Sequence, residues 1–173
     1  MFESMFGNSE QVARAIAAGL ETYGEVVVRD VATPAAGDLP ADLDLLVVGG
    51  PTHAFSMTRP TTREDAIRQG ARQGLADRGL REWLDGLTTD LRALPVATFD
   101  TRVSRVRRLP GSAARNAARV LRRRRGRLLT SPESFFVDDV SGPLGVEELA
   151  RAQAWGRSLA AQLQSDGHPV DAG

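Results

Sequence analysis

Ser4-Met5-Phe6-Gly7-Asn8-Ser9, running straight into Glu10 and an apolar-periodic segment, decides the fold of this 173-residue chain. Small hydroxyl residues and a glycine sit where the backbone has to turn tightly. Val12, Ile16 and Leu20 then recur at i, i+4 and i+8, with Ala13 and Ala17 beside them. That spacing predicts a helix from about 9 to 23, stopped by Gly24. A helix that starts immediately after such a turn aims its free N–H groups and the positive end of its dipole at the loop, where a phosphate is the natural guest. A simpler reading is that Asn8 or Ser9 caps the helix. A turn of this kind normally follows a buried strand, yet only Met1-Phe2-Glu3 precede it.

Beyond this helix, strands alternate with helices. Glu25 to Val31 reads as a strand and Ala32 to Asp42 as a loop. Leu43 to Gly50 is a near-continuous apolar strand, as expected when both faces are covered. Pro51 to Thr62 reads as a polar loop and Arg63 to Ala76 as a helix. Leu80, Trp83, Leu84 and Leu87 mark another helix. Pro95 to Phe99 is a short buried strand, Asp100 to Pro110 a loop with four arginines, and Ser112 to Arg124 a helix. Leu128-Leu129 and Ser134 to Val140 form a broken last strand, and Leu144 to Gln164 a terminal helix. This order predicts an α/β fold with a parallel sheet covered on both faces. One domain over 1–165 and a frayed tail over 166–173 are expected.

Composition narrows the chemistry. There is no cysteine, which removes disulfides, thiolate catalysis and cysteine-held metals. All 22 basic residues are arginine, which removes a Walker-type phosphate lysine and a Schiff-base lysine. Net charge is zero but uneven: 8 Arg face 14 acids over 1–90, and 14 Arg face 8 acids over 91–173. No apolar run reaches the ~20 residues of a membrane span, and no signal peptide is legible. No membrane partner and a cytoplasmic location are the resulting expectations.

Three loops fall at the carboxyl ends of successive strands, the edge where open α/β sheets bind ligands. The first is Ser4 to Ser9. In the second, Gly50-Pro51-Thr52-His53 leads on to Phe55; Gly50 allows close approach to the backbone and Thr52 can donate to a ligand. The third is Thr98-Phe99-Asp100-Thr101-Arg102. Each taken singly also reads as an ordinary turn.

Together the three resemble the flavodoxin family of FMN-binding domains. Ser4, Gly7 and Ser9 match that family's phosphate loop, with Phe6 in place of the middle threonine. Gly49-Gly50-Pro51-Thr52-His53 resembles its second flavin loop. Pro132-Glu-Ser-Phe-Phe-Val137, followed by Gly142-Pro-Leu and a glutamate-rich helix start, resembles its last strand and helix. The resemblance implies a three-layer, doubly wound, parallel five-stranded sheet of order 2-1-3-4-5. It also implies a non-covalent FMN site and an unidentified redox partner. Ser4, Met5, Phe6, Gly7, Asn8 and Ser9 would hold the phosphate, and the segments 50–53 and 99–102 would line the ring. Phe6, His53, Phe55 and Phe99 are the aromatic or imidazole candidates beside it. Arg102, Arg105, Arg107 and Arg108 would favour an anionic reduced flavin, hence two-electron reduction at a comparatively high potential. A flavin-free interaction module is the alternative. A receiver-type signalling domain is disfavoured, because the third strand ends in Gly-Gly-Pro-Thr rather than at an acceptor aspartate.

Arg122 to Arg125 invites a nucleic-acid reading. It lacks interleaved aromatics and reads better as the cationic last turn of a helix, with docking of an acidic redox partner as a further use. Strand one of the 2-1-3-4-5 order is central, and only Met1-Phe2-Glu3 represent it. About five buried side chains at ~1.5–3 kcal/mol each would be missing, as much as the whole ~5–15 kcal/mol of a domain's stability. The expectation is that the functional chain starts upstream, and the intact mass of the native protein tests it.

Overall fold

The computed structural model describes residues 1–33, 39–71, 78–108 and 110–167. Parts of the expected 32–42 loop, of the 63–76 helix and of the tail lie outside them. Five helices and a parallel sheet form three layers among the described residues. Helix α1 spans Asn8–Leu20 and buries Val12, Ile16, Ala17 and Leu20, the stripe that its spacing predicts. It ends three residues before the expected stop, where the Thr22 hydroxyl donates to the Gly19 carbonyl at 3.0 Å. None of the described helices is long and apolar enough to cross a membrane.

Strand β1 covers Leu46–Pro51. Helices α2, Pro60–Arg68, and α3, Leu80–Asp85, follow. Strand β2 then runs through nine residues, Pro95–Val103, pairing in parallel with β1 from Leu46↔Val96 to Pro51↔Thr101. Helix α4 is Ala113–Arg123, capped by the Ser112 hydroxyl, which accepts from the Arg115 amide at 3.1 Å. Strands β3, Arg127–Leu128, and β4, Glu133–Val137, both lie parallel against β2. They are the two pieces of the expected broken last strand. Helix α5, Glu148–Gly167, closes the chain.

Sheet alternation assigns the two cores. Leu46, Val48 and Val96 face α3 and α4, meeting Trp83, Leu84, Ala117 and Leu121. Ala97 and Phe99 face α1 and α5, meeting Ile16, Phe135 and Leu159. Helices α1 and α5 approach so closely at Gly19 and Gly156 that a Cβ on Gly156 would overlap the Ile16 carbonyl oxygen.

Two expectations are corrected. Residues 100–102 are strand rather than loop, because β4 pairs with them (Asp100↔Ser134, Arg102↔Phe136) and buries them. Glu25 to Val31 does not form a strand. Among the described residues it is bridged only at Asp30, to Phe2, while Phe2 also bridges to Gly49. Met1–Glu3 therefore occupy the central position of the 2-1-3-4-5 order, with hydrogen bonds to both sides. The Phe2 amide donates to the Arg29 carbonyl and the Glu3 amide to the Gly49 carbonyl, each at 2.9 Å. Among the described residues, the segment at 25–28 has no neighbour strand to fix it in a ladder, which is why its β-branched run stays irregular.

Candidate functional site

The amino end of α1 starts at Gly7, which holds φ 88° and ψ −12°. That left-handed geometry suits glycine, and the turn it creates sets Asn8 and Ser9 inside the helix rather than at its cap. The capping contact comes from Ser4 instead, whose hydroxyl accepts from the Glu10 amide at 3.2 Å. The amides of Asn8 and Ser9 have no intrahelical acceptor, as at any helix start, and they face the loop.

This loop meets the ends of β1 and β2 around a cavity of about 180 Å³. Ser4, Met5, Phe6, Asn8 and Ser9 line it from the first loop. Pro51, Thr52 and His53 line it from the second, and Thr101 and Arg102 from β2. Ser9 and Thr101 share a hydroxyl–hydroxyl bond of 2.7 Å that ties α1 to the sheet. The walls are completed by Ala54, Val103, Val137 and Val140, which the sequence reading missed. Val137 ends the last strand, so the carboxyl-edge rule applied to that strand would have found it. Asn8 is covered by the turn at Gly142, where an added Cβ would lie 2.7 Å from its Oδ1.

Other candidates take supporting positions. The Thr52 hydroxyl donates to Asp100 Oδ2 at 2.9 Å and accepts from the Ala113 amide at 2.8 Å, and the Thr52 amide donates to the Thr101 carbonyl. Its donors are thus spent on the scaffold. Asp100 also accepts from the Ala114 amide at 3.1 Å, so a buried carboxylate sits at the amino end of α4, where the helix dipole favours it. Thr98 and Phe99 are buried in the sheet, and Phe99 packs edge-on against Phe135. Gly50 faces Glu3 and Leu80. Of the four arginines at 102–108, only Arg102 lines the cavity, with a guanidinium N–H donating to the Val106 carbonyl at 2.7 Å. Arg105, Arg107 and Arg108 are exposed.

His53 and Ser56 close a two-residue hairpin through paired backbone bonds of 2.9 Å. Its corner residues, Ala54 and Phe55, both have positive φ, 44° and 63°. Neither is a glycine, so the corner holds backbone strain of the kind that collects at ligand sites. Phe55 is half exposed there, against Gly111, and does not line the cavity. Burial pushes the His53 imidazole below its ordinary value, which keeps it neutral near pH 7.

Beneath the site lies a buried polar cluster. Glu3 accepts from the Thr58 hydroxyl at 2.5 Å and from the Leu80 amide at 2.7 Å. Arg63, fully buried, donates to Thr58 at 3.0 Å and pairs with Glu82 at 3.0 Å. This cluster anchors Glu3, and through it the first loop, to α2 and α3. At the other end of α4, Arg122, Arg123 and Arg125 are exposed and Arg124 donates to the carbonyls of Asp85 and Leu87, so the arginine run forms a helix end.

No family model matches the chain, and no curated protein matches it in sequence. Solved structures do match in fold. Oxidised flavodoxin 2 from Bacillus cereus superposes with a TM-score of 0.68 at 19% identity, covering 93% of this chain and 95% of that one. Oxidised flavodoxin 1 from the same organism gives 0.63 at 21% identity, covering 95% and 94%. The flavodiiron protein from Giardia intestinalis gives 0.61 at 16% identity, covering 95% of this chain and 35% of that one. The fold is flavodoxin-like.

Proposed function

We propose that the chain binds FMN non-covalently and acts as a redox protein, passing electrons to a partner or reducing a small acceptor. The observation that carries this reading is the convergence of three strand-end segments on one cavity at the amino end of α1, a helix that a left-handed glycine starts. The donor set fits a phosphate: the Asn8 and Ser9 amides, the hydroxyls of Ser4 and Ser9, and the helix dipole. At about 180 Å³ the cavity is smaller than the ~300–1,000 Å³ of sites that enclose a whole ligand. It would suit the phosphate and its ester arm, held by the Ser4–Ser9 loop. Bound FMN would supply the electron-transfer chemistry. The protein would supply position, a neutral imidazole at His53, and one buried cation at Arg102, whose charge favours negative charge on the reduced ring.

The small cavity also favours the second reading, a flavin-free interaction module. Absorbance of the purified protein, before and after FMN addition and gel filtration, separates the two. Retained flavin bands support the redox reading; complete loss of flavin on the column supports the module.

A further inference from the structure

Residues 101–132 hold eleven arginines and no acidic residue. The fold turns much of that run into one surface. Helix α4 buries Ala113, Ala114, Ala117, Ala118 and Leu121, which leaves Arg115, Arg119, Arg122 and Arg123 exposed on its other side. They recur at i, i+4, i+7 and i+8, the spacing of a single helical face, and span ~12 Å along the axis. Among the described residues no carboxylate pairs with them, whereas Arg14, Arg68, Arg92, Arg127 and Arg151 elsewhere each meet one. Arg124 is not part of the stripe, because it is spent on the Asp85 and Leu87 carbonyls. The surface therefore differs from the arginine run at 122–125: it lies along α4 and leads from the end of that helix toward the candidate site.

A chain of hydrogen bonds links this stripe to the site. Arg119 Nη1 donates to Asn116 Oδ1 at 2.7 Å, and Asn116 Nδ2 donates to Ser56 Oγ at 2.9 Å. Ser56 closes the hairpin whose His53 and Ala54 line the cavity. Just before α4, Gly111 packs on the half-exposed Phe55. Arg105, Arg107 and Arg108 are also exposed, and they follow Val103 in the cavity wall. Cations thus run from the site along α4, with a single aromatic anchor beside them. Arginine together with an aromatic is the mixture that protein interfaces favour. Binders of single-stranded nucleic acid instead stack successive bases on several aromatics.

We propose that the arginine face of α4, with the loop at 105–108, is a docking surface for an acidic protein partner, which presents a helix carrying carboxylates at i, i+4 and i+7. Such a helix spaces its charges by ~4.5–6 Å along its axis, as α4 does between Arg115, Arg119 and Arg122. Exposed cations without ion pairs also steer an oppositely charged partner before contact. The inference names the partner class of the redox reading, and it rests on that reading only for what passes between the two proteins.

The test uses the full chain and a labelled helical peptide of about four turns, with glutamates at that spacing, read by fluorescence anisotropy at low salt. The same peptide with glutamine in place of glutamate, and oligo-dT of matching charge, serve as comparisons. The acidic peptide should bind and the glutamine peptide should not. Arg115→Glu with Arg119→Glu should weaken binding by about tenfold or more, since two attractions are lost and two repulsions gained. Arg157→Glu, at an exposed position of α5, should leave it unchanged. Arg115→Gln with Arg119→Gln keeps the test open if the charge reversals disturb folding. Equal binding of the two peptides, an equal loss with Arg157→Glu, or oligo-dT bound more tightly than the acidic peptide would overturn the proposal. FMN titration of the same proteins separates the two readings. Peptide binding without FMN binding leaves the docking surface standing and removes the redox reading; FMN binding without peptide binding does the reverse.

Discussion

Replacing Gly7 with alanine isolates backbone geometry at the phosphate loop. A Cβ at Gly7 would meet nothing within 4 Å, so steric overlap contributes nothing and only the φ of 88° matters. An L-residue held there costs ~1–2 kcal/mol. In a domain of this size each kcal/mol moves Tm by about 2–4 °C, which predicts a fall of about 2–8 °C if the loop keeps its shape. If the loop relaxes instead, the Asn8 and Ser9 amides turn away and FMN must restore them. The same free energy then appears as about 5- to 30-fold weaker FMN binding. Melting curves with and without FMN, together with an FMN titration, capture both routes. Gly7→Asn should recover part of the loss, since asparagine tolerates the left-handed region better than alanine. A Gly7→Ala protein as stable and as tight for FMN as the parent would refute the role given to this turn.

Burial raises the Glu3 carboxyl above its ordinary value, although the Leu80 amide, Thr58 and Arg63 pull the other way. Its stabilising contribution is therefore complete below about pH 4.5 and fades as pH rises through the native value. Glu82 is opposite: burial raises it, but the Gly79 amide and Arg63 bring it below normal, so its contribution is lost as pH falls. Glu3→Gln should make stability climb more steeply from about pH 3 to pH 7, as read by urea midpoints; parallel curves for the two proteins would count against this. His53 is predicted to titrate below its ordinary 6.5, so its contribution is present above 6.5 and lost as pH falls through the lower native value; an NMR imidazole midpoint at or above 6.5 contradicts the burial. Gly156→Ala forces a methyl against the Ile16 carbonyl and should cost ~1–3 kcal/mol. An unchanged Tm would mean that α1 and α5 are not packed so closely.

The parts legible in sequence are those set by local pattern. The α1 stripe, the apolar run of β1 and the Ser112 start of α4 follow from spacing and from a single capping residue. The end of β2 was hidden because Asp100, Thr101 and Arg102 are polar, and only the distant β4 strand turns them into buried ladder residues. Thr52 reads as a ligand donor until the fold brings Asp100 and Ala113 to its hydroxyl. The His53–Ser56 hairpin carries Ala54 and Phe55 at its corner, where turn chemistry favours glycine and asparagine, so no turn signal marks it. Two loops and the end of β2 meet at the cavity, while Val137 and Val140 enter only through the last strand and the turn after it.

We propose that the loop at Ser4 to Ser9 holds a phosphate attached to a flavin. Parallel fluorescence titrations with FMN and riboflavin test it, because the two differ only in that phosphate. Two charge-assisted hydrogen bonds at ~1.5 kcal/mol each predict FMN binding tighter by roughly 100-fold. Equal affinities, or no saturable binding of FMN, would contradict a phosphate site at this loop.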